Sequence, residues 1–581
     1  MRIEQKPLPT TAEAGFSLFL AIVMVGVLLL ISFAYLQHAT SRESLYLHRR
    51  AALHAQYAAE EALARYGVPD LISRSLTALE NAQGGDISPR IAQLETFRPD
   101  YDFLDDGVVE FNYGFRNLNL KKEYINPQVS SEAAFYAMVD GVVTYFDPYQ
   151  REDIVVERRA AASYELQNFA NFMYFTDQEV NPSDDPGGEI EINFYGADII
   201  YGRLHSNDYI KINGVAGYPQ FWGWVTTAKE DVVWLNGTNP NYDIFHAGFT
   251  PNYPPNSDGQ GILYPPEDAI LAMRQNAGLP IFSTPAMIDS LASWQEIATT
   301  IRIRNNQLRI EQWLYNHFYP NGDTIFYTDR YTHGQYLSLP SPQRGTVSLN
   351  GKLFVEGHLQ GQVTFLSSDT IWIVDDVYYN DVAFDGVNWI GNPVEDDKGM
   401  PPAGSNNRCG IVSEKNVIIA FTAENGGYNG GQNLPGCDAV EGVDDRQHIL
   451  ITAALMAMDN VVEVDFWHNS CIIGGDNPYG LPTTNPCQTG TNDQRGNIYL
   501  WGAVVQQRRG FVRRSPIGPY GPRIIGYDKR YHYDDNFLEF PPPNFPNTSS
   551  ASGQLLFETS RVIFEKDAWE ELRSEFSLPQ L

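Results

Sequence analysis

The sequence predicts an α+β protein that is mainly β, with a long N-terminal transmembrane helix, a β-rich head, and an irregular parallel β-solenoid in its C-terminal half. Three observations predict it. An uncharged apolar run, Phe16 to Leu36, stands near the N-terminus. Aromatics make up 13% of the 581 residues, with 33 Tyr, 48 Gly and 36 Pro, a composition of strands and turns rather than of helices or disorder. From Thr346 onward, short alternating apolar runs recur between Gly, Asn and Asp turns.

Charge removes one class of function. The chain carries 40 Lys plus Arg against 71 Asp plus Glu, a formal net charge of −31. Nucleic-acid binders engage phosphates with clustered cations, and a surface this acidic repels them.

Phe16 to Leu36 reads FSLFLAIVMVGVLLLISFAYL. About 21 uncharged residues at 1.5 Å each cover the roughly 30 Å hydrocarbon core. The run lacks a small-residue cleavage site at its end and continues as helix, so it reads as an anchor rather than a cleaved secretory signal. Ala52, Ala55, Ala59, Ala62 and Tyr66 recur at spacings of three and four, a narrow stripe that lets another helix or a sheet approach closely. Gly67 and Pro69 stop the helix. Continuous from Phe16 to Tyr66, it makes a rod of roughly 75 Å. Arg2 and Lys6 precede the span while Arg42, Arg49 and Arg50 follow it, so flanking charge leaves the orientation open.

Residues 68–180 read as a mixed connecting region, irregular with some helix up to about Val129 and closing with a hairpin. In that hairpin Ala134 to Phe146 and Ile154 to Tyr164 are joined by DPYQRED. The stretch Asn168 to Val180 holds Phe169, Phe172, Tyr174 and Phe175, too bulky to leave in water and expected in the core. Residues 181–345 read as a β-rich region with a helical insertion from about Pro265 to Ile301. Residues 346–546 form the solenoid-like domain, with alternating pairs at Leu353/Val355, Val363/Phe365, Ile371/Ile373, Val417/Ile419, Ile449/Ile451 and Ile498/Leu500. Residues 547–581 are a C-terminal tail.

The N-terminus resembles the class III leader of type IV pilins and pseudopilins: a short polar leader, residues 1–15, ends in Gly15-Phe16 directly before the apolar helix. The end of the helix, Ala58-Ala59-Glu60-Glu61-Ala62, is similar to that of PilX-type minor pilins. The resemblance implies a pilin-like helix over residues 16–67, cleavage after Gly15 by a prepilin peptidase, and methylation of Phe16. It also implies other pilin-like subunits as partners. Major pilins carry a glutamate at the fifth mature position, and Leu20 stands there instead, as in minor and tip-initiating subunits. An uncharged Leu20 avoids the cost of a carboxylate in lipid. Three further stretches, Phe175 to Glu179, Gly202 to Asp208 and Val225 to Ala228, together with the tail Gly526 to Pro546, resemble a poorly characterised family of bacterial surface proteins with pilin-like N-termini. In that tail Tyr527, Tyr531, Tyr533 and Pro541 to Pro543 are expected to cap and cover strands.

Four cysteines, Cys409, Cys437, Cys471 and Cys487, are expected in long Gly/Asn-rich loops of the late β region and are disulfide candidates, the short-range pairing being Cys409 with Cys437 and Cys471 with Cys487. Their spacing suits no zinc site. Asp184-Asp185, Asp375-Asp376, Glu395-Asp396-Asp397 and Asp444-Asp445 lack a calcium-loop pattern and read as solvated acidic loops, so no metal and no cofactor are expected. Adjacent Asp375 and Asp376 face opposite sides of a strand and make a poor catalytic pair. His205 with Asn207 and Asp208 reads as a turn satisfying backbone amides rather than a catalytic trio. Trp222 and Trp224 share a strand face; core packing is the expectation, a surface-binding platform the alternative.

The expected function is non-enzymatic: a minor or tip subunit of a type IV pilus-like or secretion filament, anchored as a single-pass inner-membrane protein with a periplasmic or extracellular head. The alternatives are a membrane-anchored adhesin that binds a surface glycan or protein, and a tethered polysaccharide-active β-helix enzyme.

Overall fold

The computed structural model describes residues 11–63, 110–124, 133–182, 189–254 except 197 and 216, 259–275 except 266, 295–318, 325–330, 335–338, 344–383, 398–420, 425, 448–464, 493–514, 517–518, 521–522, 525–550 and 556–563. The chain divides into two compact units, Met1–Glu165 with Phe557–Leu581, and Leu166–Leu556. The boundaries expected near residues 181 and 346 therefore fall inside one unit.

In the first unit, helix α1 (Thr11–Glu61) precedes a sheet of β1 (Phe111–Tyr124), β2 (Ala133–Asp147), β3 (Glu152–Leu166) and the strand Phe557–Ile563, in that order, with β1–β2 and β2–β3 antiparallel. The hairpin expected across DPYQRED is β2–β3, with Val143 opposite Val156. Its turn is set by Asp147, whose carboxylate accepts the backbone N–H groups of Tyr149 (2.8 Å) and Gln150 (3.2 Å). β1 corrects the expectation of irregular chain before Val129. Phe111, Tyr113 and Phe115 alternate with polar residues at the strand period, which is the local signal for this strand.

From Phe19 to Gln37 every residue of α1 is exposed. Beyond that, Leu47, Ala51, Ala55, Ala58, Ala59 and Ala62 are buried against the sheet. The stripe is the alanine-rich one expected, rotated slightly so that Ala52 is half-buried. Small side chains bring the helix backbone down onto Gly141 of β2, where a β-carbon would stand 1.9 Å from the Ala55 carbonyl oxygen. Only glycine fits there.

In the second unit, short parallel strands stack into ladders. In one column Val347, Phe365, Ile411, Leu455, Val504, Tyr174, Leu204, Val225 and Phe249 are in register, strand on strand. A second ladder carries Ile301, Val355, Ile373, Ile419 and Val464. A third carries Val377, Ile451, Leu500, Tyr531, Ile200, Phe221 and Phe245. A shorter set aligns Phe194, Ile212 and Trp234. The residues of these columns form one apolar core, with Phe249 and Trp234 packed at its margin. All six alternating pairs expected after Thr346 are strand residues in it.

The order of stacking departs from the order of the chain. After the strand Asp493–Arg508 the first ladder returns to β4 (Tyr174–Gln178), and the third passes from Tyr531 to Ile200. Residues near 180 and near 500 thus share one core.

Neighbouring residues on the same strands, Leu366, Val412, Met456, Val505 and Phe175, point the other way into a second core with Phe169, Phe172, Ile262, Ile270, Met273, Phe537 and Phe545. All four aromatics of residues 168–180 are buried, as expected. The tail 540–546 covers the strands: Thr364 donates to the Pro543 carbonyl (2.6 Å) and buried Arg408 to that of Phe540 (2.8 Å). Tyr527 and Tyr531, expected as covers, are instead inside the first core.

One helix, α2 (Glu267–Gln275), begins the expected helical insertion. Gln295–Asn305, read partly as helix, is a strand: Ile301 and Ile303 face the core and β-branched Thr299, Thr300 and Ile301 favour extended chain.

Corners of the first ladder share a hydroxyl device. Ser367, Ser413, Ser206 and Thr227 each accept the backbone N–H two residues on, from Asp369 (3.3 Å), Lys415 (3.0 Å), Asp208 (3.2 Å) and Lys229 (3.2 Å). Ser413 and Thr227 also donate to the Asp369 and Asp208 carbonyls one strand back, both at 2.9 Å. Each hydroxyl ends a strand and joins it to its neighbour.

Candidate functional site

The described chain holds one helix long and apolar enough to cross a membrane, by length and composition. Gly15 and Phe16 lie within α1, while Leu20 and Leu36 are 50% and 64% exposed. Among the described residues nothing covers this half of the helix, and its side chains suit a lipid or helix environment.

Where α1 meets the sheet, polar groups fix the register. Ser44 donates to Asp147 (2.5 Å) and accepts from Gln150 (2.7 Å). Desolvation works against the Asp147 charge, but hydrogen bonds from Ser44, Tyr149 and Gln150 outweigh it and hold the carboxyl below its usual range. His54 stacks on Phe111 at 5.1 Å.

Trp222 and Trp224 are 50% and 48% exposed, which overturns the core reading. Alternation misled because the strand ends at Phe221 and the next begins at Val225, so both indoles sit at a corner. Trp222 belongs to a ring column, Trp501–His532–Tyr201–Trp222–His246, buried at its Trp501 and His532 end, with centroid steps of 4.3, 4.5, 6.1 and 3.9 Å. The parallel register produces it, since these residues follow Leu500, Tyr531, Ile200, Phe221 and Phe245 by one position. Both faces of Trp222 are covered by neighbouring rings. The Trp224 indole N–H donates to Thr250 (3.0 Å).

His205 is fully buried. Its Nε2 meets Asn207 Oδ1 at 2.8 Å and its Nδ1 meets Thr226 Oγ1 at 2.8 Å. Asn207 donates to Asp177 (2.7 Å) and to the Ile262 carbonyl (2.6 Å). Burial pushes His205 down to about 4, so it is neutral at pH 7, and burial raises Asp177. The set fastens strands rather than presenting a base to solvent. Asp208, taken with it in the sequence, accepts the Glu179 backbone N–H at 3.1 Å.

Buried charge that the sequence did not reveal lies at the end of β4. Glu179 pairs with Arg509 at 2.8 Å, both essentially inaccessible, and Glu179 also accepts from Ser206 (3.0 Å) and Thr176. The guanidinium lies 3.7 Å over the Phe194 ring. Nearby, Lys529 meets Asp198 at 2.9 Å, and desolvation lowers the lysine.

Asp375 and Asp376 fall where their strand changes partners, between Ile373 beside Ile419 and Val377 beside Ile451. Burial, with a smaller push from Asp375, takes Asp376 up to about 7 although the Leu450 N–H (2.7 Å) favours its charge. Asp375 accepts the Asp376 N–H, so both serve the backbone at this bend.

Cys409 corrects the loop expectation: it lies in the strand Arg408–Ser413, buried in the first core as a free thiol, without the expected bridge to Cys437. Cys437, Cys471 and Cys487 lie outside the described residues, as do Asp184-Asp185, Glu395-Asp396-Asp397 and Asp444-Asp445. Among the described residues no group of three His, Cys, Asp or Glu is placed to hold a metal. Comparison with known protein families, curated proteins and solved structures finds no match to this chain.

Proposed function

We propose that this chain is a non-enzymatic minor or tip subunit of a type IV pilus-like or secretion filament, anchored by α1 and presenting a large acidic head outside the inner membrane. The observation that carries the reading is the division of α1: bare and apolar from Phe19 to Leu36, then seated on a sheet by alanines and Gly141. Such a helix inserts among lipids or other helices at one end while holding a folded unit at the other. The head is read as an irregular parallel β-solenoid, supported by its stacked parallel columns. A bulky head suits a rare subunit, because it would crowd a repeating shaft.

Shearing surface filaments from cells tests this. The chain is expected in the sheared fraction, far below the shaft subunit in amount; complete retention with the membrane while filaments are shed would count against it. A second reading, a surface adhesin outside any filament, is favoured by the exposed Trp222 and Trp224. Because stacking hides the faces of Trp222, a glycan would use Trp224.

A further inference from the structure

We propose that the tip of the β2–β3 hairpin is a second membrane contact, placing Tyr149 in the headgroup layer of the bilayer that α1 crosses. This rests on the membrane reading of α1.

Two contacts fix the direction of β2 against the helix. Gly141 lies on Ala55 and Ala59, whereas Asp147 is bonded to Ser44. Following β2 toward its end therefore moves back along α1, toward the apolar half. The two paths agree in length: six strand residues at about 3.3 Å against some eleven to thirteen helix residues at about 1.5 Å both give roughly 20 Å. Ser44 is eight residues past Leu36, about 12 Å along the axis, and the turn beyond Asp147 projects one or two residues further, about 3–6 Å. The tip then stands about 6–9 Å from the end of the apolar run, at the outer edge of a headgroup layer of about 5–8 Å on each side of the hydrocarbon.

The side chain at the tip suits that layer. Tyr149 is 47% exposed, whereas Val143 and Tyr145, facing the helix, are buried. Aromatic rings with an apolar body and a polar edge concentrate at this depth of a bilayer. Exposed Arg151 is offset by exposed Glu152 and Asp153, so attraction to anionic lipid is not required. Asp147 holds the turn to Ser44, so the Tyr149 ring is presented without further ordering.

The full chain is placed in phosphatidylcholine vesicles with photoreactive benzoylphenylalanine substituted singly at Leu29, Tyr149 or Arg158, the last on the register position opposite Gly141. Lipid adducts are expected at Leu29 and Tyr149, and background at Arg158. Adducts at Leu29 with none at Tyr149, or only protein adducts there, overturn the hairpin contact and leave the anchor standing. Absence of lipid at Leu29 removes the anchor, and the hairpin contact with it.

Discussion

Gly141 lies so close to Ala55 that a β-carbon at residue 141 would stand 1.9 Å from the Ala55 carbonyl oxygen and 2.8 Å from the Ala59 nitrogen. The obstacles are backbone atoms, which cannot rotate aside. Gly141→Val therefore forces helix and sheet apart, at a cost of roughly 1–3 kcal/mol for overpacking. Faster hydrogen exchange in β2 and cleavage of α1 near Ala55 by added protease are expected. Unchanged protection would refute the contact.

Glu179 and Arg509 form a pair withdrawn from water. Glu179→Ala leaves the guanidinium uncompensated and should destabilise the head by about 3–5 kcal/mol, with Glu179→Ala/Arg509→Met recovering much of the loss. Denaturant midpoints measure both, and equal loss in single and double variants would contradict the pairing.

Two buried groups act on stability with opposite signs. His205, at about 4 folded against 6.5 unfolded, makes the unfolded chain bind more protons between those values, so its contribution falls as pH drops from 6.5 to 4. Asp376, at about 7 folded against 3.8 unfolded, keeps a proton the unfolded chain releases, so its contribution falls as pH rises from 4 to 7. In Asp376→Asn the second loss disappears, and melting temperature should rise more steeply from pH 4 to 7 than in the parent. Parallel profiles would show that Asp376 is not perturbed.

Burial pushes the Cys409 thiol well above its ordinary value and removes it from reagents. Iodoacetamide should leave Cys409 unmodified in the folded chain and alkylate it only in denaturant, as read by peptide mass. Modification of the native protein would place the thiol elsewhere.

Much of the fold was legible where the determinants are local. The uncharged run, the hairpin at Asp147 and the alternating pairs such as Leu353/Val355 are each specified within a few residues. One repeat leaves little trace in the sequence because its hydroxyl is small and its spacing uneven: Ser367-Ser368-Asp369, Ser413-Glu414-Lys415, Ser206-Asn207-Asp208 and Thr227-Ala228-Lys229 each close a strand. The return of the ladder from Arg508 to Gln178 was not legible, since register between segments 330 residues apart leaves no local pattern. For the same reason the Glu179–Arg509 pair could not be found, and the exposure of Trp222 depends on a corner that alternation does not mark.

The most direct measurement is the mass and N-terminal sequence of the protein isolated from its native membrane. A chain beginning at methylated Phe16, with the apolar run retained, is the result expected of a processed, filament-forming anchor. An intact Met1 would contradict processing and leave a fixed anchor, and a chain beginning beyond Leu36 would make the run a removed signal and contradict anchoring itself.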